Sequence, residues 1–104
     1  MMEECGLSRR EVDLIRDVFR RHPEVSGAML YGSRAKGTHR PESDLDLAIQ
    51  GNLDDLRAES IGAELDELPL PYRFEVKVYA SLRSAALRDD IRRDGVLLYG
   101  DMTP

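Results

Sequence analysis

The sequence predicts a small mixed α/β domain, in which helices pack on one face of a short mixed β-sheet. Three observations predict it. The chain has 104 residues, which suffice for one modest core. Three segments repeat apolar residues at helical spacing, and shorter segments between them are apolar or alternate apolar with polar residues, as strands do. The order of these segments predicts a single domain over residues 1–104, with a polar sheet face left open.

A first helix is predicted over residues 8–22. Ser8 and Glu11 have the spacing of a capping box, and apolar residues follow at helical intervals. Residues 25–31 are apolar and are closed by Gly32, which favours a buried strand because a helix of so few residues is rare. These elements form the start of the core.

A loop is predicted over residues 32–42, and a second strand over residues 43–50. The strand alternates sharply, so that one face is apolar and the other carries two carboxylates. The apolar side consists of Leu45, Leu47 and Ile49, and the opposite side of Asp44, Asp46 and Ala48.

A second helix is predicted over residues 53–68, with Asn52 as its N-cap. Its expected apolar stripe consists of Leu53, Leu56, Ile61, Leu65 and Leu68. A third strand follows over residues 72–80, where apolar residues again alternate with polar ones. Its polar face includes Glu75 and Lys77.

The last two elements are a helix over residues 81–93 and a short strand over residues 96–99. Ser81 begins this helix in the prediction, and Gly95 ends it at the position that a left-handed C-cap prefers. The strand returns the chain to the sheet.

The composition disfavours several classes of protein. A net charge of −5 disfavours a protein that holds nucleic acid on a wide basic surface, because that binding replaces counterions with many Lys and Arg side chains. No apolar run approaches the length of a membrane span, and the first residues lack the order of a signal peptide. A single cysteine, Cys5, excludes an internal disulfide. We expect a cytoplasmic protein.

Four polar or small residues near the second strand are candidates for a binding site. Gly32 and Ser33 follow the first strand directly, and Asp44 and Asp46 share one face of the second. Two neighbouring carboxylates repel unless a cation neutralises them, and oxygen ligands of this kind suit Mg²⁺. A Gly-Ser turn brings backbone N–H groups and a hydroxyl close to a phosphate. The spacing therefore predicts a site for Mg²⁺ and a phosphate.

These residues stand in a segment, YGSRAKGTHRPESDLDLAI, that resembles the signature of the minimal nucleotidyltransferases of the DNA polymerase β-like superfamily. The spacing onward to LPLPYRFEVKVYASL and LRDDIRRDGVLLYG also resembles that family, so the resemblance covers nearly the whole chain. It implies a polymerase β-like palm fold and the transfer of a nucleotidyl group, commonly AMP from ATP. Two Mg²⁺ ions would bridge the phosphates of the triphosphate.

The resemblance also implies roles by motif position. Asp44 and Asp46 would be metal ligands, and the remaining motif residues would hold or support the triphosphate: Gly32, Ser33, Arg34 and Lys36. The family's third carboxylate is an Asp on the third strand, and the matching residue here is Glu75. We expect Glu75 to act as a metal ligand or base. Because Glu is one methylene longer than Asp, we also expect the metal and the attacking hydroxyl to be displaced.

Lys77 leaves three interpretations open. It could bind phosphate, pair with Glu75 or the aspartates in the place of a metal, or be an exposed lysine without a role.

Two functions follow from the resemblance. The first is an enzyme that adenylylates a hydroxyl of a small helical HEPN-type partner and acts as the antitoxin of a toxin–antitoxin pair. The second is a catalytically weak or inactive nucleotide-binding module that neutralises its partner by stoichiometric binding; the Glu at position 75 and nearby Lys77 favour it. A small-molecule acceptor would need a pocket that the sequence does not locate. Oligomers are compatible with either function.

Overall fold

A computed structural model of the protein describes residues 6–37 and 44–102. Within them the strands are β1 (Val25–Tyr31), β2 (Leu45–Gly51), β3 (Phe74–Val78) and β4 (Val96–Gly100). The helices are α1 (Arg9–Arg20), α2 (Ser33–Lys36), α3 (Asp55–Asp66) and α4 (Ala85–Asp94). A 3₁₀ turn, Tyr79–Ser81, follows β3.

The four strands form one mixed sheet in the order β3-β2-β1-β4. Strand β1 pairs antiparallel with both β2 and β4, whereas β2 and β3 are parallel. Parallel neighbours need a crossover connection, and α3 supplies it. The predicted fold class, a small mixed sheet with helices, is confirmed.

Helices α1 and α3 cover one face of the sheet. Their buried residues meet the inward-facing residues of the strands in one apolar core, which includes Ile15, Phe19, Leu30, Leu47, Ile49, Ile61 and Leu65. The residues of β2 alternate as predicted, since Leu45, Leu47 and Ile49 are all fully buried in this core. Burial of this face supplies the main driving force for folding.

The opposite face is only partly open. A smaller apolar cluster there combines Tyr31 and Ala48 of the sheet with Tyr79 and with Ile91 of α4. Helix α4 therefore covers part of the face that the sequence predicted to be open. The uncovered part carries the polar residues of β2 and β3.

Helix α1 begins as predicted. The Glu11 N–H donates to Ser8 Oγ at 3.2 Å, and the Ser8 N–H donates to Glu11 Oε1 at 2.9 Å, which completes the capping box.

Helix α3 corrects two expectations. Its N-cap is Asp54, whose carboxylate accepts the Arg57 N–H at 2.9 Å, and not Asn52. Leu56 is 74% exposed and does not belong to the buried stripe. With 3.6 residues per turn, Leu56 projects away from the face of Ile61 and Leu65, and the buried side also includes Ala58 and Gly62.

Two further boundaries differ from prediction. Helix α4 begins after Ser84, because the 3₁₀ turn uses the residues around Ser81. Gly95 has φ −64° and is not left-handed; glycine is required because a Cβ there would lie 2.4 Å from the Ile91 carbonyl oxygen. The predicted loop over residues 32–42 includes the helical turn α2, and its residues from 38 onward lie outside the described part of the chain, as does Cys5.

Among residues 6–37 and 44–102, every helix is too short or too polar to span a bilayer.

A polar cluster ties the end of α1 to α3. His22 Nε2 lies 2.6 Å from Glu64 Oε2, and Arg21 Nη2 donates to Glu64 Oε1 at 3.2 Å. Partial burial raises the pKa of Glu64, but these hydrogen bonds outweigh it, so the pKa of Glu64 lies below its ordinary value of 4.5. The ionised carboxylate is therefore favoured in the folded chain.

This cluster predicts an acid-dependent contribution to stability. Because the folded state lowers the pKa of Glu64, its stabilisation is present above about pH 4.5 and is lost as the pH falls through the lowered value. We expect Glu64→Gln to unfold at lower urea concentration at neutral pH and to lose less further stability in acid than the wild type. Urea titrations at several pH values measure both effects. The control is Glu67→Gln, an exposed position just after α3; equal acid loss in Glu64→Gln and wild type would contradict the prediction.

Candidate active site

Three polar side chains stand in one row across the sheet. Tyr31 is opposite Asp46 in the β1–β2 pairing, and Asp46 is opposite Glu75 in the β2–β3 pairing. Residues that are directly opposite project from the same face of a sheet. Glu75 therefore lies beside Asp46 on the face away from α1 and α3, as the alternation of the two strands predicted.

Asp46 is the partly buried member of the row. Burial first, and then the negative charges of Glu75 and Asp44, raise its pKa above the ordinary value, while Lys77 opposes the rise. Asp44 stands just before β2 and is exposed. The two neighbouring acids thus disfavour the ionised form of Asp46.

Burial and the same acidic neighbours also affect the pKa of Tyr31. Burial, followed by the charges of Asp46 and Glu75, raises the pKa of Tyr31 to about 12. Its phenol stays neutral at physiological pH. Tyr31 is buried and packs at the rim of the site. Its position opposite Asp46 depends on strand register, which the sequence alone does not supply.

Gly32 connects β1 to α2 at the same end of the sheet. Its φ of +79° lies in a region that side chains disfavour, and a Cβ built there would stand 2.8 Å from Asp46 Oδ2. The Asp46 carboxylate therefore packs directly over the glycine backbone. Ser33, the first residue of α2, follows immediately, so the predicted glycine and serine lie at the carboxylate end of the site.

Arg34 has a buried environment that the motif did not predict. It is 2% exposed, and its guanidinium carbon lies 4.6 Å from the centre of the Tyr72 ring. The Tyr72 hydroxyl in turn donates to Glu11 Oε2 at 3.0 Å. These contacts give Arg34 a packing role between α2 and the start of α1. Its role in supporting a triphosphate stays a prediction.

Both lysines of the site are paired with acids. Lys36 Nζ lies 2.9 Å from Asp90 Oδ2 on α4, and Lys77 Nζ lies 3.4 Å from Glu75 Oε1. The second pair matches one of the interpretations left open for Lys77. Asp90 was not predicted, because a half-buried acid on a helix gives no sequence signal of its partner. Phosphate binding by Lys36, which also stays a prediction, requires that it exchange Asp90 for the phosphate.

The carboxylates fit a divalent cation that has further ligands elsewhere. No group of three or more Asp, Glu, His or Cys side chains is arranged to hold a metal within residues 6–37 and 44–102. Mg²⁺ typically takes only one or two protein carboxylates and completes its shell with water and substrate phosphate. Asp46 with either acidic neighbour provides such a donor set.

The contact between Gly32 and Asp46 predicts the effect of a single methyl group. Gly32→Ala should cost about 1–3 kcal/mol of unfolding free energy, since it adds backbone strain and displaces the Asp46 carboxylate. Gly37→Ala is the control for left-handed backbone strain alone: Gly37 has φ +75° and ψ 13°, and nothing lies within 4 Å of its added methyl group, so it should lose about 1 kcal/mol. Gly32 has ψ −153°, a region that glycine alone commonly adopts, and should lose more. Urea unfolding compares them. Equal losses would show that Asp46 does not constrain Gly32.

Comparison with known proteins agrees with this fold. The family model described as Polymerase beta, Nucleotidyltransferase matches residues 13–103. A comparison with curated protein sequences finds no match.

Solved structures of toxin–antitoxin complexes share the fold. One contains AMP-PNP; it is 22% identical, and the match covers 91% of this chain and 75% of that one with a TM-score of 0.71. A second is the MntA–HepT complex, at 20% identity, 90% and 74% coverage and a TM-score of 0.69. A third holds a tri-AMPylated HEPN toxin of Shewanella oneidensis with its MNT antitoxin, at 19% identity, 91% and 74% coverage and a TM-score of 0.70. With the family model matching most of its length, the chain belongs to the polymerase β nucleotidyltransferase family.

Proposed function

We propose that the protein is an Mg²⁺-dependent nucleotidyltransferase that moves AMP from ATP onto a hydroxyl of a HEPN-type partner, as the antitoxin of a toxin–antitoxin pair. The observation that carries the proposal is the placement of Asp46 between Asp44 and Glu75, directly over Gly32. A partly buried carboxylate whose pKa is raised by burial and by two neighbouring acids, beside a close-approaching backbone, is suited to a cation and a phosphate.

Each residue has a part in this proposal. Asp44 and Asp46 hold the cations, with Glu75 as the third carboxylate. Gly32 and Ser33 admit the triphosphate close to the backbone, and Lys36 reaches it after leaving Asp90. When bound, two Mg²⁺ ions would neutralise phosphate charge and favour ionisation of the acceptor oxygen.

The reaction is a displacement at phosphorus. The acceptor oxygen forms a bond to the α-phosphorus of ATP, and the bond from that phosphorus to the α,β-bridging oxygen breaks. Pyrophosphate leaves with the electron pair of the broken bond. The carboxylate of Glu75 takes the acceptor proton, since it is the exposed carboxylate of the row.

The partner class is supported by the structural neighbours. They include a complex of a tri-AMPylated HEPN toxin with its MNT antitoxin and a toxin–antitoxin complex with AMP-PNP. A fold shared with these antitoxins is compatible with both a partner protein and an adenine nucleotide as ligands. We extend both ligands to this chain as part of the proposal.

One observation favours a second candidate function. The ion pair between Lys77 and Glu75, at 3.4 Å, occupies the carboxylate that would otherwise bind a cation or accept a proton. If that pair persists with nucleotide bound, the chain is a nucleotide-binding module that neutralises its partner by stoichiometric binding. Turnover distinguishes the two functions, because only the enzyme leaves AMP on the partner.

Removal of either aspartate charge tests the enzyme. Asp44→Asn and Asp46→Asn should abolish Mg²⁺-dependent transfer while stability is unchanged or slightly raised, because the change keeps side-chain size and relieves the repulsion that raises the pKa of Asp46. The assay incubates the protein with labelled ATP, Mg²⁺ and its co-purified partner, and mass spectrometry locates the added AMP. Asp13→Asn on α1 is the control and should stay active. Transfer by both active-site variants would refute this assignment of the cation ligands.

Position 75 separates the two candidate functions. We expect Glu75→Asp to keep or raise the transfer rate and Glu75→Gln to lower it by about 10²–10⁴, the usual cost of losing a positioned base. Single-turnover transfer rates measure both. If the wild type transfers nothing to any partner and Glu75→Asp creates activity, the stoichiometric module is correct. If Glu75→Gln matches the wild type, Glu75 is not the base.

A further inference from the structure

Strand β3 forms one edge of the sheet and has no strand beyond it among the described residues. The Leu45 N–H donates to the Arg73 carbonyl at 2.9 Å, which fixes the direction of the backbone groups in this parallel pair. Residues 73, 75 and 77 direct their backbone groups toward β2, so Val76 directs its N–H and carbonyl outward. This edge can therefore pair with a further extended chain.

A groove of about 630 Å³ runs along that edge, between α3 and the segment after β3. Its floor is apolar and includes Ala58, Val76 and Val78. Its charged lining consists of the acids Asp55, Glu59, Asp66 and Glu75 and the bases Lys77 and Arg83. The excess of carboxylates favours a ligand that carries positive charge, and Glu75 connects the groove to the proposed active site.

The opposite edge of the sheet is protected differently. Arg16 Nε donates to the Leu98 carbonyl of β4 at 2.7 Å, which occupies a backbone acceptor of that edge with a charged side chain. On β3, Asp66 Oδ1 accepts the Phe74 N–H at 2.9 Å and so caps only the start of the strand. The backbone groups of Val76 face the groove.

We propose that this groove is the acceptor site, and that it binds an extended polypeptide segment with basic side chains as an added strand along β3. A residue that pairs with this edge lies directly across from Glu75. A hydroxyl at that position meets the proposed base and the α-phosphorus, with the bonds formed and broken as described above. This inference rests on the proposed transferase activity only for the chemical step; binding in the groove is independent of it.

The apolar floor and the outward backbone groups distinguish this occupant from a polycationic small molecule. A sugar with amino groups would satisfy the carboxylates but would leave the Val76 amide and carbonyl without strand-like partners. An extended peptide satisfies both, since alternate side chains point to the acidic wall while its backbone pairs with the edge.

Peptide binding without nucleotide tests the groove directly. The probes are a fluorescent peptide, Val-Lys-Tyr-Lys-Val, whose lysines and tyrosine project to opposite faces, its acidic counterpart, Val-Glu-Tyr-Glu-Val, and a copy of the first with N-methylated backbone amides. Fluorescence anisotropy should show that the basic peptide binds more tightly than either of the others. Glu59→Lys should weaken its binding by about fivefold, as expected for reversing one exposed charge. The control Glu67→Lys makes the same change beyond the groove and should have no effect.

Transfer to the same peptides then tests the acceptor role, with ATP binding measured separately. We expect AMP on the tyrosine of the basic peptide, a lower kcat/KM in Glu59→Lys, and unchanged ATP affinity in that variant. Equal binding of the basic and N-methylated peptides, or no response to Glu59→Lys, would overturn the groove as a strand-binding site. Adenylylation of kanamycin in preference to the peptide would overturn the choice of occupant. A wild-type protein that does not bind ATP would instead refute the proposed transferase activity.

Discussion

The repulsion between carboxylates held in one row across the sheet is the constraint on which the rest of the site depends. Asp46 is partly buried between Tyr31 and Glu75, and both burial and the neighbouring acids raise its pKa. Placing the Asp46 carboxylate there does not stabilise the fold. The surrounding structure supports it with a large apolar core on the other face, so that the sheet can carry unfavourable charge where a cation and a phosphate would relieve it.

The ion pairs of the structure show how the protein carries this charge without a ligand. Lys77 contacts Glu75, and Lys36 contacts Asp90, so each of these two lysines already has an anion. Nucleotide and metal would therefore enter by exchange of partners. Such exchange costs little, because water screens ion pairs between exposed side chains and leaves them a small net contribution to stability.

The sequence predicted the parts of the fold that follow from local periodicity. The bounds of β1, the capping box of α1 and the shared face of Asp46 and Glu75 were all predicted correctly, since each depends on a short apolar run, a capping motif or alternation. The start of α3 was wrong, because Asn52 and Asp54 are both good caps and tertiary packing selects between them. The burial of Arg34 against Tyr72 and the groove beside β3 depend on residues far apart in the chain, for which a single sequence gives no signal.

The parallel pairing of β2 with β3 has a consequence for when the site exists. Asp46 and Glu75 become neighbours only after the chain has formed α3 and returned to the sheet, whereas the hydrophobic clustering of α1 with β1 needs no such return. Long-range parallel contacts are among the slow steps of folding, because loop closure must precede any gain from pairing. A growing chain on the ribosome thus has the glycine turn, Asp44 and Asp46 well before it has Glu75, and the row of carboxylates is assembled only when the crossover is complete.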